Sequence, residues 1–247
     1  MLEQIPLSEI LFLDIETVSQ HSTFNELDET FRDLWQHKAA GILKKPKDEL
    51  KLEELAVSYP KRAAIYAEFG KIICISVGYL YEDNGTWRAR LKSFADDDEA
   101  VVLQQFSQLL QKRYPIPNRH FLCGHNIKEF DIPYICRRMV VHSLELPTLL
   151  QIHGKKPWEL TYFLDTMELW KFGDYKGYTS LKLLAAVLGF PSPKEDIDGS
   201  EVGKVYWQER DLPRIATYCE RDVLAVIQLL MRYRRMPILE AAQIEHR

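Results

Sequence analysis

Ile10-Leu11-Phe12-Leu13-Asp14-Ile15-Glu16-Thr17 is an apolar run that ends in two carboxylates. A short run of bulky apolar residues reads as a buried strand. Alternate residues of a strand point to opposite faces, so Asp14 and Glu16 project together while Leu11, Leu13 and Ile15 face the other way. Taken alone, the run fits a strand reaching its solvent-exposed end as well as a carboxylate pair joined by a cation. Similar acidic spacing recurs in Asp97-Asp98-Glu99. That stretch follows no apolar strand and reads as the acidic first turn of a helix running to Tyr114. A strand over about residues 10–15 therefore raises a specific question, whether further carboxylates converge on Asp14.

Outward from this strand, no second strand signal appears until Lys71-Ile72-Ile73-Cys74-Ile75-Ser76-Val77-Gly78-Tyr79-Leu80. The intervening residues, about 20–70, have helical spacing over 24–37, 48–58 and 61–69, with breaks expected at Gly41, Pro46 and Pro60, and predict a helical insertion. Asp83-Asn84-Gly85 predicts a hairpin into a third strand over 87–94. A helix over about 98–114 leads to a short buried strand, His120-Phe121-Leu122-Cys123-Gly124. Strand, helix, strand implies a parallel pair beside the hairpin. Further on come a helix after Asp131, a strand or helix start at Tyr162-Phe163-Leu164-Asp165, a helix over 180–188 stopped by Gly189, and a long helix from Pro213 to about Arg234. The expectation is one domain over residues 1–247.

The composition of the 247 residues, 46% hydrophobic and 28% charged, excludes a disordered chain and gives ample core. No basic-then-apolar leader opens the sequence and no apolar run approaches membrane-spanning length, so a cytoplasmic protein with no membrane partner is expected. Cys74, Cys123, Cys136 and Cys219 form no Cys-x-x-Cys pair and sit in apolar segments as small hydrophobes. Structural zinc and disulfides are not expected. The net charge of −4 advertises no global basic field. Lys44-Lys45-Pro46-Lys47, Lys155-Lys156 and residues 232–235 are local basic clusters that read as solvated surface.

The second acidic candidate is Asp131, in Gly124-His125-Asn126-Ile127-Lys128-Glu129-Phe130-Asp131-Ile132-Pro133-Tyr134. Proline favours the first helical position, which puts Asp131 just before the helix at its positive end. Ile132, Ile135, Cys136, Met139 and Val140 mark the buried face, so Asp131 lies at the edge of the core. An ordinary helix-start residue fits equally. The third candidate lies in the last helix, whose inward stripe is Ile215, Cys219, Val226, Leu229, Leu230 and Tyr233. Tyr218 and Asp222 lie on or beside that stripe, one turn apart, and can address one point. Pairing of Asp222 with Arg221 or another base remains open. The same tyrosine-acid spacing in Tyr79-Leu80-Tyr81-Glu82-Asp83 falls on a strand, where it separates the groups by roughly 13 Å. Four carboxylates meeting at one cleft would repel without cations and suit oxygen-loving Mg²⁺ or Mn²⁺ better than zinc. Two such ions about 4 Å apart organise phosphoryl transfer.

Asp14-Ile15-Glu16, then Asn126-x-x-x-Phe130-Asp131, then Tyr218-x-x-x-Asp222, in this order, resemble the three motifs of the DEDDy 3′-5′ exonucleases. The wording is most similar to the exonuclease domain of family-B DNA polymerases, whose second motif also continues into a Pro-Tyr helix. The resemblance covers about residues 10–19, 71–94 and 98–234. It implies an α/β, ribonuclease-H-like fold, a mixed five-stranded sheet flanked by helices with a helical insertion after the first strand. It further implies an exonuclease that uses two divalent cations, Mg²⁺ or Mn²⁺, to release nucleoside 5′-monophosphates from the 3′ end of single-stranded DNA. Asp14 would bridge both ions, Glu16 and Asp222 would complete the nucleophile-activating site, and Asp131 would hold the second ion. Tyr218 would orient the attacking water, Thr17 would meet the terminal 3′ hydroxyl through its amide, and Asn126 and Phe130 would line the path of the last nucleotides. Asp165-Thr166 and Thr179-Ser180-Leu181 also resemble recurring family segments, but helix capping explains both.

The sequence ends shortly after the third motif, where family-B polymerases continue, so a free-standing enzyme for repair or trimming is expected, or one serving a polymerase or repair protein in trans. An exoribonuclease of the same fold is the main rival, because nothing in the sequence reads a 2′ hydroxyl. A catalytically silent nucleic-acid-binding relative is another. Residues 12–17 also resemble the strand and acidic loop of aspartyl-phosphate phosphatases, but Glu16 and Val18 replace the second aspartate and glycine usual there.

Overall fold

Strand β1 (Ile10–Ser19) forms the middle of a mixed sheet, and its neighbours fix where the acidic residues go. The computed structural model describes residues 2–174, 178–191 and 197–247. β1 pairs antiparallel with β2 (Gly70–Asp83), which turns into β3 (Thr86–Ala95). The turn residues Asn84 and Gly85 have φ of 51° and 80°, the left-handed pair that a two-residue hairpin with matching twist requires. On its other side β1 pairs parallel with β4 (Phe121–Gly124), and β4 with β5 (Phe163–Asp165).

The described residues form six strands rather than the five expected. β6 (Ile244–His246) adds to the far edge, parallel to β3, giving the order β5-β4-β1-β2-β3-β6. Three residues carry no readable periodicity, and backbone pairing to an open edge holds them there. β1 also runs past the predicted end at Ile15, because β2 is long enough to pair with it as far as Ser19.

The insertion forms α1 (Glu29–Leu43) and α2 (Leu52–Arg62). Gly41 and Pro60, expected as breaks, lie inside these helices. Pro60 sits in the last turn of α2, and residues 61–69 finish that helix and a 3-10 turn rather than forming a third. Trp35, Tyr59 and Phe69 pack edge to face in a small core belonging to the insertion. Its tail is tied to the sheet, since the carbonyl of Ala64 accepts from Thr17 Oγ1 and Tyr134 Oη, both at 2.9 Å.

The remaining helices sandwich the sheet. α3 (Glu99–Arg113) and α4 (Asp131–Val141) cover the face carrying Leu11, Leu13, Ile15, Val77 and Phe94. The opposite face, with Ile10, Phe12, Leu80 and Leu91, is covered by residues of two later helices. After the short α5 (Thr166–Lys171) these are α6 (Leu181–Leu188) and, beyond α7 (Val202–Lys204), α8 (Leu212–Tyr233). Ser180 caps α6 and Gly189, at φ 70°, ends it, as expected. The alternation predicted for β1 therefore holds, and Asp14 and Glu16 share the parity of Phe12, on the α8 side. Glu99 is no solvated decoy. It is buried, accepts from Ile72 N at 2.7 Å, and is clamped by Arg138 and His142, which locks α3 to α4.

Gly124 ends β4 where a Cβ would lie 2.8 Å from Leu13 O and 2.0 Å from Ile127 Cγ2. Gly124→Ala should therefore destabilise the protein by about 2–3 kcal/mol through overpacking, read as a lower denaturation midpoint. An unchanged midpoint would show that the β1–β4 contact yields without cost.

Candidate active site

The parallel strands β5, β4 and β1 end along one edge of the sheet, the usual place for chemistry in such sheets. β4 stops at Gly124, so Ile15, further along β1, finds no strand partner on that side. Its N–H donates instead to Asp131 Oδ1 at 3.2 Å. This bond joins the first acidic stretch to the second. Asp131 is the first residue of α4 rather than the residue before it. Phe130 is the cap, and Pro133 falls in the first turn, where amide protons lack helical partners anyway.

α8 crosses the same edge from the other face and brings Tyr218, Cys219 and Asp222, all buried. The Cys219 thiol donates to Asp14 O at 3.4 Å and to Asp14 Oδ2 at 3.5 Å. Ligand atoms of Asp14, Glu16 and Cys219 lie within 4.8 Å of one another. The β1–β2 register shifts between Glu16 and Thr17, a bulge that re-aims the strand immediately after the carboxylates.

The electrostatics follow from this crowding. Burial first, then the charges of Asp222, Asp131 and Glu16, push the Asp14 carboxyl far above its ordinary value, while the Cys219 bond opposes them. Asp131 is pushed to about 7, again chiefly by burial, with Asp165 and Asp222 adding to it and the Ile15 amide opposing. The Tyr218 phenol is raised by burial, then by Glu16, Asp222 and Asp14, and by its hydrogen bond to Asp222. It stays an O–H donor at neutral pH. Burial likewise raises the Cys219 thiol, so Cys219 acts as a neutral donor that orients Asp14.

The five predicted residues Asp14, Glu16, Asp131, Tyr218 and Asp222 thus act on one another across the sheet edge. The three substrate candidates sit around them. Thr17 follows the bulge and spends its hydroxyl on Ala64 O. Asn126 has φ 67°, donates its amide to Asp165 Oδ1 at 3.0 Å, and holds a buried Oδ1 with no hydrogen-bond partner. Phe130 is half-buried with its ring 5.4 Å from that of Tyr134.

Four contributors were not read from sequence. From the sequence Cys219 reads as a small hydrophobe, whereas the fold sets its thiol against Asp14. Asp165 does cap α5 but also receives the amides of Asn126 and Lys128, which shapes the loop before Asp131. His125 is fixed through both ring nitrogens, by Thr166 Oγ1 and Thr179 O. Tyr178, 69% exposed, sets its ring edge against His125, and its phenol is raised by burial and then by Asp222 and Asp14. The readable signal was the inward stripe containing Cys219; nothing local marks Tyr178.

The oxygen donors fit hard divalent cations. Asp14, Glu16, Asp131 and Asp222 offer carboxylates whose mutual repulsion a Mg²⁺ or Mn²⁺ ion would relieve, whereas the protonated Cys219 thiol suits neither.

Comparison with known proteins gives two findings. A family described as predicted 3′-5′ exonucleases related to the exonuclease domain of PolB matches residues 65–243. The match spans Asp131, Tyr218 and Asp222 and begins after β1. The family B DNA polymerase from the hyperthermophilic archaeon Pyrobaculum calidifontis shares the fold, with a TM-score of 0.55 and 15% identity over 91% of this chain. The chain spans 24% of that polymerase's length. No curated protein matches this sequence. Among the described residues, no helix is long and apolar enough to cross a membrane.

Proposed function

Since the chain belongs to the family of predicted 3′-5′ exonucleases related to the exonuclease domain of PolB, we propose that it hydrolyses phosphodiester bonds at the 3′ end of single-stranded DNA and releases nucleoside 5′-monophosphates. The observation that carries this reading is the mutual repulsion of Asp14, Asp131, Glu16 and Asp222, drawn together from β1, α4 and α8. Asp14 would bridge two divalent cations, Glu16 and Asp222 would complete one site, and Asp131 would hold the other. When bound, such ions lower the pKa of water and stabilise the attacking and leaving oxygens.

The chain's own groups do the rest. Tyr218 stays a phenol, and its one proton goes to Asp222 in the metal-free protein; with Asp222 engaged by a cation, that proton would turn to the attacking water and orient it in line with the scissile bond. Cys219 fixes the Asp14 carboxylate, and the Ile15 amide fixes that of Asp131. The amide of Thr17, the buried Oδ1 of Asn126 and the ring of Phe130 would position the terminal nucleotides, with Tyr178 beside them. The partner is the 3′ end of a nucleic acid strand.

Labelled DNA and RNA oligonucleotides incubated with Mn²⁺, then with EDTA, test the reading. The expected result is a ladder from the 3′ end of DNA that EDTA abolishes. No shortening of either strand would sink the proposal, and ladders from RNA alone would replace DNA by RNA. Tyr218→Phe should lower kcat about 10²-fold, as misplacement of a reacting group does, while leaving Mn²⁺ binding intact. Unchanged kcat removes Tyr218 from the mechanism.

A further inference from the structure

A groove of about 800 Å³ lies between α3 and strands β1, β2 and β3, on the sheet face away from α8. It opens on the sheet face opposite to Asp14. Its floor includes Leu11, at the start of β1 and of opposite parity to Asp14. Five cations line it, Arg90 and Lys92 from β3, Lys112 and Arg113 from the last turn of α3, and Arg247 beyond β6. The sole side-chain carboxylate in the lining is Glu9, which already pairs with His120 at 3.2 Å and Arg119 at 3.5 Å.

Arg90 is engaged, held by Glu245 and by Tyr79 Oη. Lys92, Lys112 and Arg113 are exposed, and among the described residues none of them makes an ion pair. By contrast, several cations of the basic clusters visible in the sequence are paired, Lys45 with Glu54, Lys47 with Asp33 and Arg235 with Glu3. A chain of net charge −4 thus gathers uncompensated positive charge in one groove.

The chemistry of the groove narrows its occupant. Its apolar floor, Leu11, Val77, Phe94 and Tyr114, is itself buried, so no open apolar pocket awaits a side-chain anchor of the kind that dominates protein interfaces. Beside the partly exposed Leu109 and the aliphatic stems of its cations, the groove presents charge, the amides of Gln105 and Gln108, and the partly exposed ring of Tyr79. Cations tracking a groove with an aromatic edge suit a sugar-phosphate backbone. We propose that this groove is a second nucleic-acid site, which holds the phosphodiester backbone of a strand away from its 3′ end. The choice of nucleic acid over another polyanion draws on the exonuclease reading, but the binding itself requires no turnover.

Affinity of the metal-free protein in EDTA for a labelled 30-nucleotide single strand, followed by anisotropy across a salt series, provides the test. Without metal the acidic edge repels phosphate, so this binding reports the groove. The double variant Lys92→Glu, Lys112→Glu should bind about tenfold more weakly at low salt and lose about 1.4 from the salt slope, 0.7 for each phosphate contact of a single strand. Lys156→Glu with Arg232→Glu, an equal charge change at two exposed positions elsewhere, should leave both quantities unchanged. Mn²⁺-dependent digestion of a 5-nucleotide strand should be the same for the groove variant and wild type. Equal weakening by the two double variants would reduce the effect to net charge and overturn the proposal, as would unaltered affinity in the groove variant. If the groove variant loses a labelled poly-glutamate peptide but keeps the oligonucleotide, the occupant is an acidic protein segment and the nucleic-acid proposal fails.

Discussion

Asp14→Asn should abolish metal-dependent hydrolysis and, in the same protein, raise the melting temperature measured in EDTA. The two effects have one cause. Asp14 sits among Asp222, Asp131 and Glu16, which together with burial resist its ionisation. In the absence of metal the native state must keep this carboxyl protonated where the unfolded chain would ionise it, a cost that a neutral amide of the same shape removes. Each kcal/mol released raises the melting temperature of a chain this size by about 2–4 °C. The amide oxygen can still accept from the Cys219 thiol, so the local geometry is retained. With Mn²⁺ the order should reverse. Wild type gains stability by mass action on a ligand that binds only the folded state, and the variant gains much less. Loss of one group that organises transition-state charge costs about 10²–10³-fold in kcat, and a ligand shared by two ions should cost at least that. Matching Mn²⁺ shifts in the two proteins would refute the bridging role of Asp14.

Asp131 makes the second large prediction, a metal-free protein that weakens as the pH rises. The Asp131 carboxyl titrates at about 7 in the folded state against an ordinary value of 3.8. Between these values the folded chain holds a proton that the unfolded chain has released, so unfolding free energy falls with rising pH across this window and levels off above 7. At about 1.4 kcal/mol per pKa unit the full change is on the order of 4 kcal/mol. Carboxylates with lowered values, such as Asp33 and Glu54, act with the opposite slope at lower pH. His120 and His125, lowered by burial, oppose it near neutrality. Asp14, also raised and partly by Asp131 itself, acts in the same direction as Asp131. The difference between wild type and Asp131→Asn cancels the contributions of groups outside the acidic edge and reports Asp131 together with its coupling to Asp14, because the amide oxygen can still receive the Ile15 N–H. Urea midpoints from pH 4.5 to 7.5 in EDTA should show wild type losing ground to the variant as pH rises. Parallel curves would mean that Asp131 ionises as an ordinary surface carboxylate. Saturating Mn²⁺ should flatten the difference, because a metal-bound carboxylate holds no proton.

The residues legible in the sequence are those whose signal is local. Ile10 to Leu13 announce a buried strand, Asn84-Gly85 announces a hairpin turn, and the stripe from Ile215 to Tyr233 announces the long helix that carries Tyr218 and Asp222. The carboxylates could be named because each closes or flanks such an element. The misread parts are those decided by partners far along the chain. Pro60 is tolerated because it falls late in α2 and Tyr59 beside it packs on Trp35. Ile244–His246 becomes a strand because the edge of β3 is open to it. Cys219 reads as one more apolar residue until Asp14 is placed opposite its thiol. The cations of the groove come from a strand, a helix end and the residues after β6, so no window of sequence contains them together.

The bond between Cys219 and Asp14 joins residues 205 positions apart, and that between Asp131 and Ile15 spans 116. Closing such spans costs chain entropy that is recovered only after the intervening elements have docked, so contacts of this kind form late on the way to the native state. The acidic edge is then expected to be absent from the folding transition state, where a divalent ion would have nothing to bind. Its binding energy will be expressed as a slower escape from the native basin, with the refolding rate left unchanged. A divalent ion held at this edge would act as a kinetic lock on a finished structure rather than as a template for making it.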